Sequence, residues 1–396
     1  MSDYIYIDNA ATTYPKPREV YDFMHEFYST CGGSPGRTGS GAAGRIEQVV
    51  SQTRKMLCEL FGGNDPKRLT FSNNASDALN QIIQGMLSPG DHVITSRLEH
   101  NSVLRPLYHK EQAGEIEVAH IPFDGAGFIS PDDVKAAVRK NTKLVLLNHA
   151  SNVTGAVQPL SETGKVCREA GVYFAVDASQ TAGIIKIDVR EMNIDLVAFT
   201  GHKSLMGPVG TGGIYTGENV PIRATRFGGT GILSELRTHP EEFPYRLECG
   251  TLNILGIAGL YSGLIWLNKQ GIDKIHAREM DLWDRLRQGL QAIEGVTAYC
   301  AERRENHTPA LSFNISGWEA SEAGAVLNAE YGIACRTGLH CAPLVHEGLG
   351  TDKLYGTVRF SLGPFNTEEH VDRAIAAVGE IAAAQAERIF ALSTLK

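Results

Sequence analysis

Cysteine is sparse and badly spaced for cross-linking: seven residues, at 31, 58, 167, 249, 300, 335 and 341, form no C-x-x-C pair, and one is left over from any complete pairing. That excludes a disulfide-stapled module, argues against a zinc ribbon and fits a reducing compartment. Excess positive charge is lacking too. Lys and Arg number 37 against 45 Asp and Glu, a net charge of −8, and no basic run forms the stripe that a phosphate backbone needs. No nucleic acid is expected as partner. The first residues, MSDYIYIDNAATTYPKP, lack the basic stretch and apolar core of an export signal, so a cytoplasmic chain is expected. Uncharged runs of 20 residues are absent but for one, residues 249–268. Four Gly, two Asn, a Thr and a Ser interrupt its 20 positions, and a buried helix is a better reading than a membrane span.

What is present is the balance of a folded chain: 42% hydrophobic and 21% charged residues with 42 Gly and 16 Pro over 396 positions, long enough for roughly two to three domains. Between 67 and 215, short β-branched runs alternate with amphipathic stretches. Strands are expected at 68–71, 91–95, 115–120, 143–148, 172–176, 196–199 and 212–215, and helices at 76–87, 102–112, 131–140 and 161–170. This is an α/β pattern with a mostly parallel, seven-stranded sheet. After 259 the pattern turns to long helices (260–269, 273–293, 320–331, 367–392) with strands at 310–315 and 357–361, a smaller α+β domain. The expected division is 1–16, an N-terminal segment with a short strand at Tyr4-Ile5-Tyr6-Ile7 that packs on the small domain; 17–255, the large domain; and 256–396, the small one.

In such sheets ligands gather at the carboxyl ends of the strands. Two of those ends carry charge: the strand at 172–176 runs into Asp177-Ala-Ser-Gln180, and that at 196–199 into Thr200-Gly-His-Lys203. A lysine on a tight loop beside an aspartate suits a Schiff-base cofactor. The amine forms an imine with an aldehyde while the carboxylate keeps a pyridine nitrogen protonated, the two demands of pyridoxal 5'-phosphate. Taken singly, Asp177 reads equally as a turn cap and Lys203 as a solvated loop residue. Phe71-Ser-Asn-Asn74-Ala75-Ser76 is a strand, a polar turn and a helix start, which offers free N–H donors to a phosphate. His100 follows another strand, where a flat imidazole is placed to stack on a ring. The glycines at 207–213 lie between a lysine loop and a strand, the wrong context for a dinucleotide fingerprint.

The strings IDNAAT (7–12), SNNASDALN (72–80), EHNS (99–102), SNVTG (151–155), VDASQT (176–181), TGHKSLMGPVGTG (200–212), CGTLN (249–253), RTGLHCAP (336–343) and VRFSLGPFNTEEHVD (358–372) closely resemble, in order, the cysteine desulfurase and selenocysteine lyase group of the fold-type I, class V aminotransferase-like enzymes. The resemblance implies that Lys203 is the Schiff-base lysine, that Asp177 partners the pyridine nitrogen and that Gln180 bonds the phenolic oxygen. By the same likeness His100 stacks on the ring and handles protons. Ala75, Ser76, Thr200 and His202 cradle the phosphate, joined by Thr251 from a neighbouring subunit, so that a homodimer with shared sites is implied. Asn152 and Arg359 match the residues that hold the substrate α-carboxylate, and Cys341 matches the nucleophile of group II desulfurases. Its thiolate would take sulfur from L-cysteine, leave alanine and pass the persulfide to a sulfur-acceptor protein, with His340 and Arg336 nearby as positive charges favouring the thiolate.

Two departures from the group II pattern stand out. The glycine-rich stretch 32–44 lacks the histidine that group II members carry after their Arg-Gly, which bears on substrate contacts at Arg37, while its glycines suggest a mobile loop; and Leu339 stands where a second histidine is common before Cys341. Cys335, His340, Cys341 and His346 lack the short spacing of a zinc site, so no metal is expected. The alternatives are a lyase acting on L-selenocysteine, an aminotransferase, epimerase or C–S lyase that makes no use of Cys341, and a non-catalytic scaffold that kept the fold.

Overall fold

The computed structural model describes residues 4–31 and 41–394, with side chains described from 44 to 384 in the second stretch. Arg37 lies outside the described residues. The strands are β1 (Ile5–Tyr6), β2 (Leu69–Ser72), β3 (Asp91–Ser96), β4 (Ile116–Ile121), β5 (Thr142–Asn148), β6 (Tyr173–Asp177), β7 (Leu196–Thr200), β8 (Gly212–Thr216), β9 (Val296–Tyr299), β10 (Ala310–Ile315), β11 (Ile333–Ala334), β12 (Arg336–Gly338) and β13 (Thr357–Ser361). The helices are α1 (Arg18–Thr30), α2 (Gly41–Leu60), α3 (Ala75–Met86), α4 (Asn101–Gln112), α5 (Pro131–Ala137), α6 (Leu160–Ala170), α7 (Ile254–Gln270), α8 (Ile272–Gln291), α9 (Ala320–Tyr331), α10 (Pro343–Leu349) and α11 (Glu368–Thr394).

All seven strands expected between 67 and 215 form one sheet, in the order β2-β8-β7-β6-β5-β3-β4. Only β8 runs against its neighbours. The interior strand β7 is buried at every position, which is why its sequence is a continuous apolar run rather than an alternating one. Asn74 caps α3 by accepting the Asp77 N–H at 2.9 Å; Gly171 ends α6 in the left-handed region at φ 66°.

The uncharged stretch is a core helix. Asn253 caps α7 through the Gly256 N–H at 3.0 Å, so the helix starts six residues before the apolar periodicity suggests. Gly263 lets it close on the lysine loop, since a Cβ there would lie 2.7 Å from the Leu205 carbonyl. Among the described residues no helix is long and apolar enough to cross a membrane. α7 packs with α1 and α2 in the core of the large sheet. A second core is built from α8, α9, α11 and the four-stranded sheet β12-β13-β10-β9, and Ile5 and Ile7 of the N-terminal segment enter it. β1 pairs in parallel with β11.

One buried ion pair ties the segment before α7 to the large sheet. Arg54 of α2 donates to both oxygens of Glu248, at 2.8 and 3.1 Å, and lies over the Phe71 ring at 4.6 Å; Glu248 also accepts the Phe71 N–H at 2.6 Å. Removing one partner strands the other charge. Glu248→Ala is expected to lower unfolding stability by about 3–5 kcal/mol, and the double change Arg54→Met/Glu248→Leu by clearly less, as read from urea melts of the three proteins.

Candidate active site

The carboxyl ends of β2, β3, β5, β6 and β7 open onto one cavity of about 230 Å³. Ala75, Ser76, His100, Asn152, Asp177, Gln180, Thr200, His202, Lys203, Cys341 and Arg359, eleven residues picked from the sequence, all line it. Thr251 does not. It lies exposed in a separate pocket beside Asn73, Arg226 and Asn253.

The lysine loop is closed by its own backbone: the Gly207 N–H donates to the Gly201 carbonyl at 2.8 Å and the Met206 N–H to the Lys203 carbonyl at 2.9 Å. Burial pushes the Lys203 amine down to about 8, Asp177 opposes this, and Arg359 and Arg336 add to it. At the end of β6, Asp177 Oδ1 accepts the Ser179 N–H at 2.9 Å and the Ser179 hydroxyl at 2.5 Å, which leaves Oδ2 without a partner among the described residues. Gln180 donates one amide N–H to the Ala10 carbonyl at 3.1 Å.

His100 faces the cavity as a neutral ring. Its Nδ1 accepts the Ser102 N–H at 3.1 Å, which puts the proton on Nε2. Burial, aided by Lys203, Arg336 and Arg105 against Asp177, pushes its pKa down to about 4. The Ser102 hydroxyl also meets Ser76 Oγ at 2.5 Å and so joins the histidine to the start of α3. There the Ala75 and Ser76 N–H groups have no acceptor in the helix and none elsewhere among the described residues. Gly212 allows the turn its place: a Cβ would sit 2.7 Å from the Asn74 backbone. His202 stands beside Thr12, Nδ1 to Oγ1 at 3.0 Å, and is also pushed down to about 4 by burial.

Cys341 lies on the loop between β12 of the four-stranded sheet and α10. Arg336 Nη2 lies 3.4 Å from its Sγ. The expectation that His340 adds a second positive charge is corrected here. Its Nε2 lies 3.0 Å from Thr357 Oγ1, and burial, followed by the field of Arg359, holds the ring well below its ordinary pKa, so it is neutral. The two expected carboxylate holders are both engaged within the protein. Arg359, 1% exposed, donates to Asp8 Oδ1 at 2.6 Å and to the Asn152 carbonyl at 2.8 Å. The Asn152 side-chain amide donates to the His340 carbonyl at 2.7 Å. Asp8, Ser102 and Ser179 are the site residues that sequence reasoning left without a role, although all three lie in strings that carry the family likeness. No group of three or more His, Cys, Asp or Glu among the described residues is placed to hold a metal ion.

The donor set fits a pyridine phosphate: free helix N–H groups for the phosphate, a free carboxylate oxygen for a ring nitrogen and a buried amine of lowered pKa for an aldehyde. Comparison with known proteins agrees. The family model for aminotransferase class-V matches residues 5–374. A probable cysteine desulfurase of Methanothermobacter thermautotrophicus is 31% identical over 94% of this chain and 93% of its own length. Cysteine desulfurase CsdA of Escherichia coli is 30% identical over 94% and 93%. Among solved structures, the apo cysteine desulfurase of Thermococcus onnurineus NA1 superposes with a TM-score of 0.89 at 30% identity, covering 96% of this chain and 95% of that one. The chain belongs to the class-V aminotransferase family. Within it, the chain is a member of the cysteine desulfurase group, whose cofactor is pyridoxal 5'-phosphate.

Because only the unprotonated amine attacks an aldehyde, the rate at which cofactor-free protein takes up pyridoxal 5'-phosphate should rise about tenfold per pH unit below 8 and level off above it. An ordinary lysine would keep the rate rising to beyond pH 10. Stopped-flow absorbance between pH 6 and 10 distinguishes the two.

Proposed function

We propose that this protein is a pyridoxal-phosphate-dependent cysteine desulfurase that converts L-cysteine to L-alanine and leaves the sulfur as a persulfide on Cys341. The observation that carries this reading is the meeting of Lys203, Asp177 and the Cys341 thiol on one cavity, with Arg336 at 3.4 Å from the sulfur. Bound in that cavity, the cofactor would act as the electron sink that makes the substrate's Cα proton and C–S bond labile.

The protein residues do the rest. Arg359 and Asn152, with Arg37, hold the α-carboxylate, a planar anion suited to a guanidinium fork. Once free, the Lys203 amine moves the Cα proton, and the His100 ring takes a proton at Nδ1, where Ser102 now bonds it, before it gives one from Nε2. The Cys341 thiolate, paired with Arg336, attacks the substrate sulfur. An S–S bond forms, the substrate Cβ–S bond breaks with its electron pair left on carbon, and a proton there completes alanine. One thiol and one L-cysteine thus give one persulfide and one L-alanine. A cytoplasmic homodimer in which Thr251 reaches the partner's phosphate, and a protein that accepts the sulfur, complete the proposal. The chain is read as an N-terminal segment at 1–16, a large domain from 17 and a small domain to 396, with α7 attached to the large one.

The test is alanine and sulfide release from L-cysteine with a thiol reductant. Cys341→Ala should lower turnover by about a thousandfold or more while keeping the bound-cofactor absorbance, and Lys203→Ala should lose both. Full turnover by Cys341→Ala would make the protein a C–S lyase, and turnover of L-selenocysteine by that variant with none of L-cysteine would make it a selenocysteine lyase. Wild-type protein that stays colourless with added cofactor would leave only a scaffold.

A further inference from the structure

The carboxyl of Glu99, next to His100, is fully buried, and the chemistry above makes no use of it. Its Oε1 accepts the Ser96 hydroxyl at 2.6 Å and the Asn148 N–H at 3.0 Å. Ser96 Oγ in turn accepts the Leu98 N–H at 3.0 Å, and the Asn148 side-chain amide donates to the Leu98 carbonyl at 2.7 Å. These four bonds join the end of β3 to the end of β5, its neighbour in the sheet. Asn148 lines the cavity and is the register partner of Asp177 on β6. The knot therefore sets how far the His100 ring stands from the Asp177 carboxylate.

Two acceptors in this knot are left bare: Glu99 Oε2 and Asn148 Oδ1 are both buried and have no partner. Turning the Asn148 amide over would set its oxygen against the Leu98 carbonyl, so that remedy is closed. An ionised Glu99 would leave both oxygens unsatisfied, at the full cost of desolvating them. A single proton on Glu99 answers both.

We propose that Glu99 is a positioning residue that works as a neutral carboxylic acid, its hydroxyl donating to Asn148 Oδ1 and so fixing the turn that carries His100 relative to Asp177. Burial first, and the negative charge of Asp177 after it, push the carboxyl up to about 8, against the bonds from Ser96 and Asn148 that favour the charged form. Asp177 is the charged group that acts on it, and His100 beside it is neutral. Glutamine supplies an N–H donor and an oxygen acceptor in the same shape, whereas alanine supplies neither.

The experiment compares wild type, Glu99→Gln and Glu99→Ala by infrared spectroscopy in heavy water and by cofactor dissociation constant. The protonated-carboxyl absorbance of wild type at pH 6.5 should lose one carboxyl's share in Glu99→Gln, that of the likewise buried Glu279 remaining. Cofactor affinity should stay within about twofold for Glu99→Gln and fall about tenfold or more for Glu99→Ala. Because the folded protein binds this proton more tightly than the unfolded chain does, wild-type stability should fall as pH rises from about 4.5 through 8, and this part of the fall should be missing in Glu99→Gln. Should Glu99→Ala fail to fold, that absorbance and the Glu99→Gln affinity decide alone. No absorbance lost between wild type and Glu99→Gln, or a Glu99→Gln protein as weak in cofactor binding as Glu99→Ala, overturns the proposal. The infrared band is read without substrate, so its outcome is independent of the reaction assigned to Cys341.

Discussion

A single buried guanidinium holds the three sheets together. Arg359 sits on β13 of the four-stranded sheet, grips Asp8 just beyond β1 and donates to the carbonyl of Asn152 beyond β5 of the large sheet. Burial works against its charge and Asp8 restores it. A pair this deep is costly to break and only modestly favourable to make; what it provides is relative position. Without it, β13 would lose its ion pair to the N-terminal segment and its bond to the loop beyond β5 of the large sheet. The guanidinium keeps one donor, Nε, without a partner even so, a cost the fold bears at this junction and at twelve other side chains among the described residues.

Burial then divides the cations of the site into two kinds. Lys203 is drawn toward neutrality, and His100, His202 and His340 are neutral at ordinary pH, all mainly through desolvation. Permanent positive charge is left to Arg336 and Arg359, whose guanidinium groups stay ionised where an amine or imidazole would not. The arrangement separates two tasks that compete in water. Groups that act as bases or as uncharged donors are kept neutral or drawn toward neutrality, and groups that must attract anions are kept charged.

The sheet was legible in the sequence because each strand is a buried run closed by polar residues, a signal that needs no partner to be read. Every strand between 67 and 215 lies within a residue of its expected place, and the strand-end logic located Lys203, Asp177, His100 and the α3 turn. Two things escaped. The start of α7 was hidden because its first turns hold Gly256 and Gly259, which weaken an apolar periodicity while permitting close packing. The links of Arg359 to Asp8 and of Asn152 to His340 span 351 and 188 positions, and no local spacing encodes a contact made by two cores meeting. The same holds for the neutrality of His340, which depends on its burial and on the field of Arg359 from the neighbouring strand.

The loop that carries Cys341 shows what such long-range contacts achieve. His340 and Cys341 are both left-handed, at φ 48° and 58°, a conformation that costs a non-glycine residue about 1–2 kcal/mol. The structure around them sustains it. The Cys341 carbonyl accepts the Asn101 N–H at 2.7 Å, the His340 carbonyl accepts the Asn152 amide at 2.7 Å, and the His340 ring is fixed to Thr357. The first two anchors come from elements that also shape the cavity, the start of α4 and the loop beyond β5. The thiol is therefore placed relative to the cavity by the same residues that place His100, and its loop is pinned on both sides within a short span between β12 and α10. A loop held this way has little reach. Under the reaction proposed for it, the substrate sulfur must be delivered to the thiol, and an acceptor of that sulfur must come to the mouth of the cavity to collect it.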